Sequence, residues 1–202
     1  MGSGTLPKPF FQTLHALLSA EGEITLGELL EAAGEQTYGF LVLLLALPNL
    51  VPGLNLGLAP VGGIGLIGLG AQLAWGTPHP WVPARIQAQA IHKGHIKNAL
   101  ARLEVQLNRF RWSRAEQRPL SHRWVGLCIA WTGFLLATPV PLPFGNQLPA
   151  AILCLLGAAL LEERPTWAWI GAAAMVGNTV YFASSFSLIA KAYLKALHAL
   201  VG

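Results

Sequence analysis

Apolar residues in this chain fall in blocks separated by amphipathic stretches. Residues 38–78 and 124–161 contain no Asp, Glu, Lys or Arg, and a third charge-free run, 165–190, follows Glu162-Glu163-Arg164. A soluble core of this size needs a polar exterior, and these runs supply none. Elsewhere the pattern turns helical and one-sided. "ITLGELLEAAGEQ" predicts a capped helix, with Thr25 as N-cap, Glu28 three residues on, and Leu26, Leu29, Leu30 and Ala33 on one face. Phe10, Phe11, Leu14, Leu17 and Leu18 make an apolar stripe upstream, too short to span a bilayer. Ile96, Leu100, Leu103, Leu107 and Phe110 recur at helical spacing, with Lys93, Lys97, Arg102, Arg109 and Arg111 between them. That stripe fits a helix at headgroup level, and its 4-3 repeat also suits pairing with a second copy as a homodimer.

Both larger blocks interrupt themselves. Residues 124–138 make a helix of about 22 Å, short of the ~30 Å hydrocarbon core. "PVPLPFGNQLPA" follows. Pro139, Pro141 and Pro143 force an extended path, Gly145-Asn146 permits a turn, and Pro149 sits in the first turn of a new helix through "AAILCLLGAALL". The first block runs apolar to Leu47, breaks over Pro48-Asn49, Pro52-Gly53 and Asn55, and restarts at Pro60. Pro52 and Pro60 have the same spacing as Pro141 and Pro149, and "GFLVLLLALP" echoes "GFLLATP". The two blocks therefore read as an internal repeat of broken helices. The second limb of the first copy carries Gly62, Gly65 and Gly68, an expected face for close packing.

Non-helical backbone at membrane depth survives only inside protein or against a wet cavity, so the two breaks are expected to meet internally. Recurring broken helices also point to a transport or binding site. Asn49, Asn55, Gln72, Asn146 and Gln147 are the candidate substrate-binding residues, and Pro48, Pro52, Pro60, Pro141, Pro143 and Pro149 the helix-breaking ones. Helix N-termini at Pro60 and Pro149 would turn donors toward an anion such as a phosphate headgroup. The competing reading makes the amides staples for the two turns.

Composition strengthens the membrane reading: 53% of the 202 residues are hydrophobic and 11% are charged, against roughly 25% charged in soluble domains. The charge is partitioned. Residues 1–37 form an amphipathic acidic head, in which Lys8 faces five glutamates. Residues 79–123 carry nine Lys/Arg against Glu104 and Glu116. The positive-inside rule puts this basic segment in the cytosol against anionic lipid, which leaves no need for nucleic acid as a partner. The expected fold is all-α and polytopic in the bacterial inner membrane. It has a head (1–37), a first broken repeat (38–78), a basic segment (79–123), a second broken repeat (124–164) and a transmembrane helix with a tail (165–202). Residues 167–190, about 36 Å as a helix, can cross once. Trp75, Trp81, Trp124, Trp167 and Trp169 read as interfacial anchors. Re-entrant hairpins would gather these anchors at the cytosolic face, whereas a fully crossing limb would invert one repeat.

Reactive constellations are missing. There is no Asp and no His-Glu-x-x-His, and Cys128 and Cys154 lie in apolar runs as buried thiols. His92 and His95 sit on the basic helix, with no metal expected. No cofactor and no enzyme activity are expected; Glu162, Glu163 and His122 are the weak candidates for a lipid-modifying site. "LGELLEAAGEQTYGFLVLLLALPNLVP", a Gly-rich run, a basic stretch and "PVPLPFGNQLPA" together resemble the bacterial ExoD family, over about residues 24 to 181. The resemblance implies an inner-membrane protein linked to exopolysaccharide production and carries over no catalytic residue. Two roles follow as expectations. One is movement of a small or lipid-linked anionic substrate through a site at the breaks. The other is a non-transporting scaffold for polysaccharide machinery.

Overall fold

The computed structural model describes residues 24–50, 58–88, 90–91, 120–138 and 145–201. The stripes at 10–18 and 96–110, His92, His95, Asn55, Pro52, Pro141 and Pro143 lie outside them. The fold is all-α apart from a two-residue antiparallel ladder, β1 (Ile24–Thr25) with β2 (Ala90–Ile91). Helix α1 (Leu26–Ala33) starts with the expected capping box: the Glu28 N–H donates to Thr25 Oγ1, and the Thr25 N–H donates to Glu28 Oε2 at 2.9 Å. A 3₁₀ turn, Gly34–Gln36, leads into α2 (Thr37–Ala46), which tightens into a second 3₁₀ turn at Leu47–Leu50 where Pro48 enters. Then come α3 (Leu58–Trp75), the short α4 (Ala84–Gln87), α5 (His122–Ala137), α6 (Gln147–Leu161) and α7 (Pro165–Val201). Helix α5 begins at His122, two residues inside the expected basic segment 79–123.

The core is two hairpins, α2–α3 and α5–α6, packed crosswise: α3 lies along α5, and α2 along α6. Glycines set both crossings. A Cβ on Gly70 would sit 2.6 Å from the Gly126 carbonyl, and one on Gly126 would sit 2.7 Å from the Gly70 carbonyl. Gly63 meets Gly133 in the same way, and Gly39 of α2 meets Gly157 of α6. Each pairing is antiparallel. Shifting the numbering so that Gly39 becomes Gly126 also turns Gly157 into Gly70, so the two interfaces are copies of one interface. Exchange of the hairpins about an axis along the bundle accounts for this. The helix ends repeat too. Pro60 and Pro149 are each the third residue of their helices. Both helices close with an amide bonding five residues back, Thr77 to Gln72 and Arg164 to Ala159, around a residue at positive φ, Gly76 or Glu163.

One expectation is corrected here, and one open alternative is narrowed. The close-packing face of α3 is Gly63 and Gly70, not Gly62, Gly65 and Gly68. A Cβ on Gly62 would make ordinary contact with Asn49 and Leu45, one on Gly65 would press only on the flexible end of Leu45 at 3.2 Å, and Gly68 has no neighbour within 4 Å. The hairpins also point the same way, which excludes an inverted pair for this bundle. Between them Leu43, Leu66, Ile129, Leu136, Leu153 and Leu156 are fully buried.

No helix among the described residues is long and apolar enough to cross a membrane. At 1.5 Å per residue, α2, α5 and α6 reach about 15, 24 and 22 Å. Helix α7 is long enough, but Asn178, Thr179, Ser184, Ser185 and Ser187 dilute it. The surface is nevertheless apolar: Val61 and Ile64 on α3, Leu127 and Phe134 on α5, and Val176 and Val180 on α7 are all exposed.

Candidate functional site at the break end

The antiparallel pairings give the bundle two unlike ends. One gathers the start of α2, the end of α3, the start of α5 and the end of α6. There the Tyr38 and Thr77 hydroxyls lie 2.6 Å apart, and His122 Nε2 lies 3.5 Å from Glu163. Arg164 reaches Glu162 at 3.1 Å and stacks over Trp167. Trp124 and Trp169 rings are 4.8 Å apart. Trp75 and Trp81 stand 83% and 73% exposed, whereas Trp167 is buried and is not a free interfacial anchor.

Gln72 also belongs to this end. Its Oε1 accepts the Trp81 N–H at 2.6 Å, and its Nε2 donates to the Trp81 carbonyl at 3.3 Å. Both amide atoms are spent on holding the 76–83 turn, so Gln72 is a staple far from the breaks. The exposed His122–Glu163 pair and the Arg164-bound Glu162 lie here as well. Among the described residues no three His, Cys or Glu side chains cluster as metal ligands would.

The opposite end carries the described flanks of both breaks: α2 finishes beside the start of α6, and α3 starts beside the finish of α5. The structure thus brings Asn49, Asn146 and Gln147 to one end, with Pro48, Pro60 and Pro149. Asn49 is 2% exposed; its Nδ2 donates to the Leu45 carbonyl at 3.0 Å, near the C-terminal end of α2, while Oδ1 finds no partner among the described residues. Asn146 occupies the N-cap of α6 without a side-chain cap bond, and Gln147 is the first residue of that helix. No basic side chain occurs in 124–161 or 165–190, so among the described residues polarity here comes from amides, the Thr138 hydroxyl and helix N-termini.

Asn178 escaped the sequence reading. It is 5% exposed, and neither of its amide atoms has a partner among the described residues. The signal was present: Ala168, Gly171, Met175, Asn178 and Phe182 form a 3-4 stripe on the inward face of α7, and Asn178 is its only polar member. It hid in a run already rich in small polar residues.

A family model described as "Exopolysaccharide synthesis, ExoD" matches residues 10–184, both hairpins included. The chain belongs to the ExoD family. Protein ExoD of Rhizobium meliloti (strain 1021) is 32% identical over 167 residues, covering 79% of this chain and 69% of that protein. No solved structure matches. Membership links this ExoD-family chain to exopolysaccharide synthesis, and the matched region includes every described residue that lines the break end.

Proposed function

We propose that this ExoD-family protein is a non-catalytic, multi-pass protein of the bacterial inner membrane. In this reading it serves exopolysaccharide production by holding or moving a lipid-linked anionic substrate at the break end. The observation that carries the reading is the contrast between sides and ends. The flanks of a charge-free bundle are apolar, while tryptophans, arginines and glutamates collect at one end. Exposed apolar surface of this extent marks contact with lipid or protein. Helices of about 15–27 Å entered from one side would set the breaks at depth, and the charged end, continuous with the basic segment, at the cytosolic headgroups. The first-turn N–H groups of α3 would there meet an anionic linkage.

The scaffold reading gains from Gln72 and Asn49, since three of their four amide atoms serve neighbouring backbone. Complementation separates the two. In a strain lacking this protein, Asn146→Ala with Gln147→Ala is expected to lower exopolysaccharide output at unchanged abundance in the membrane fraction. Full output from that variant, with loss from Trp81→Ala or Arg123→Ala, would favour the scaffold. Recovery of wild-type protein in the soluble fraction would end both readings.

A further inference from the structure

We infer that the first turn of α6 is a subsite for a hydroxyl-bearing group, a glycosyl or other polyol headgroup, held between the carboxamides of Asn49 and Asn178. This rests on the break-end reading and names the chemistry that site selects.

The register places both amides at that turn. Gly171 of α7 packs on Leu156 of α6. Asn178 lies seven residues further along the same face of α7, and seven residues back along antiparallel α6 is Pro149. From the other side, Gly39 meets Gly157. Ten residues on from Gly39 is Asn49, in a turn packed against α6, and ten residues back from Gly157 is Gln147. Two amides more than nine-tenths buried therefore flank the start of one helix, and three of their four polar atoms have no partner among the described residues.

The identity of the free atoms selects the ligand. The bond from Asn49 Nδ2 to the Leu45 carbonyl fixes the amide orientation, so the vacant Asn49 atom is an acceptor. It needs a donor. A cation would oppose the positive end of the α6 dipole. A fully ionised phosphate only accepts; it would satisfy the helix N–H groups and Asn178 Nδ2 and leave both Asn oxygens bare. A hydroxyl donates and accepts, and vicinal hydroxyls can serve both amides together with the first-turn N–H groups of Gln147 and Leu148, which have no partner within the helix.

The test uses the full-length protein in a detergent without a sugar headgroup, with binding read as a concentration-dependent rise in melting temperature. The probes are dioleoyl glucosylglycerol, dioleoyl phosphatidate and methyl glucoside. The glucosyl lipid is expected to half-saturate at a concentration at least tenfold below phosphatidate. Asn178→Leu, which deletes only unpartnered atoms and so keeps the fold, is expected to erase that preference; Asn49→Leu should do the same. Methyl glucoside distinguishes a lipid headgroup from a free polyol: binding at a similar concentration with the same Asn178 dependence assigns a free polyol, and much weaker binding with that dependence assigns the headgroup. Equal or tighter binding of phosphatidate, no shift with any probe, or a preference that survives Asn178→Leu would overturn the assignment. A glucosyl preference alongside intact exopolysaccharide output in the Asn146/Gln147 variant would leave the subsite standing and remove the proposed function instead.

Discussion

Substituting Gly70 with alanine should pry the two hairpins apart, and the same change two residues earlier should not. A methyl on Gly70 would lie 2.6 Å from the Gly126 carbonyl oxygen. The Ala130 nitrogen would be closer still, at 2.4 Å. Close C–H···O contacts sit at about 3.3 Å or more, so α3 and α5 must separate by roughly 0.7–1 Å. A gap of that order forfeits about a quarter to a half of the dispersion well for each atom pair across it, and Leu66, Leu69, Val125 and Ile129 are buried in the bundle around this crossing. Overpacking of this kind typically costs about 1–3 kcal/mol, and close glycine contact is a main source of attraction between helices in lipid. Against it stands a helix-propensity gain of about 0.5–1 kcal/mol for Gly→Ala. The expected net loss for Gly70→Ala is about 1–2 kcal/mol, by the same principles. Gly68→Ala has nothing within 4 Å and should show only the propensity gain of about 0.5–1 kcal/mol. Unfolding in detergent followed by far-UV circular dichroism measures both. Equal stability of the two variants, or loss in Gly68→Ala alone, would refute the interface as described.

Other perturbations separate the remaining elements. Glu163 holds φ +52 where the first repeat has Gly76 at φ +84; Glu163→Gly should stabilise the protein by about 0.5–1 kcal/mol, the left-handed strain relieved less the entropy of glycine, because the exposed His122 contact contributes little. Gly76→Ala should do the reverse, since its methyl would strain the backbone and press on Arg123; denaturation midpoints of the pair should move in opposite directions. Gln72→Ala removes two hydrogen bonds to Trp81 and should lower stability by about 1–3 kcal/mol while leaving ligand affinity at the break end unchanged, and an affinity loss equal to that of Asn178→Leu would return Gln72 to the site.

Local chemistry made much of the bundle readable. Thr25 and Glu28 announce α1, and Pro60 and Pro149 fix where α3 and α6 begin because proline is tolerated only in a helix's first turn. The repeat seen in the helix pairings matches Gly39 with Gly126, not with Gly133 as the echo of "GFLVLLLALP" in "GFLLATP" had it. The rotational phase of α3 was not legible, because a helix apolar on every side gives no polar face from which to choose Gly63 and Gly70 over Gly62, Gly65 and Gly68. Gln72 misled for a related reason: an amide in an apolar run looks functional until the turn that brings Trp81 back to it is known. Asn178 needed the reverse inference, a lone amide on an otherwise apolar inward stripe.

Depth of the break end in a bilayer tests the membrane arrangement most directly. Nitroxides at Leu148, partly exposed at the start of α6, and at Trp81, exposed at the opposite end, can be relaxed by oxygen, which concentrates in the hydrocarbon, and by a water-soluble nickel chelate. In vesicles the Leu148 label should respond to oxygen and resist nickel, and the Trp81 label should respond to nickel. Equal access of the nickel chelate to both labels would contradict the burial of the two breaks in the membrane.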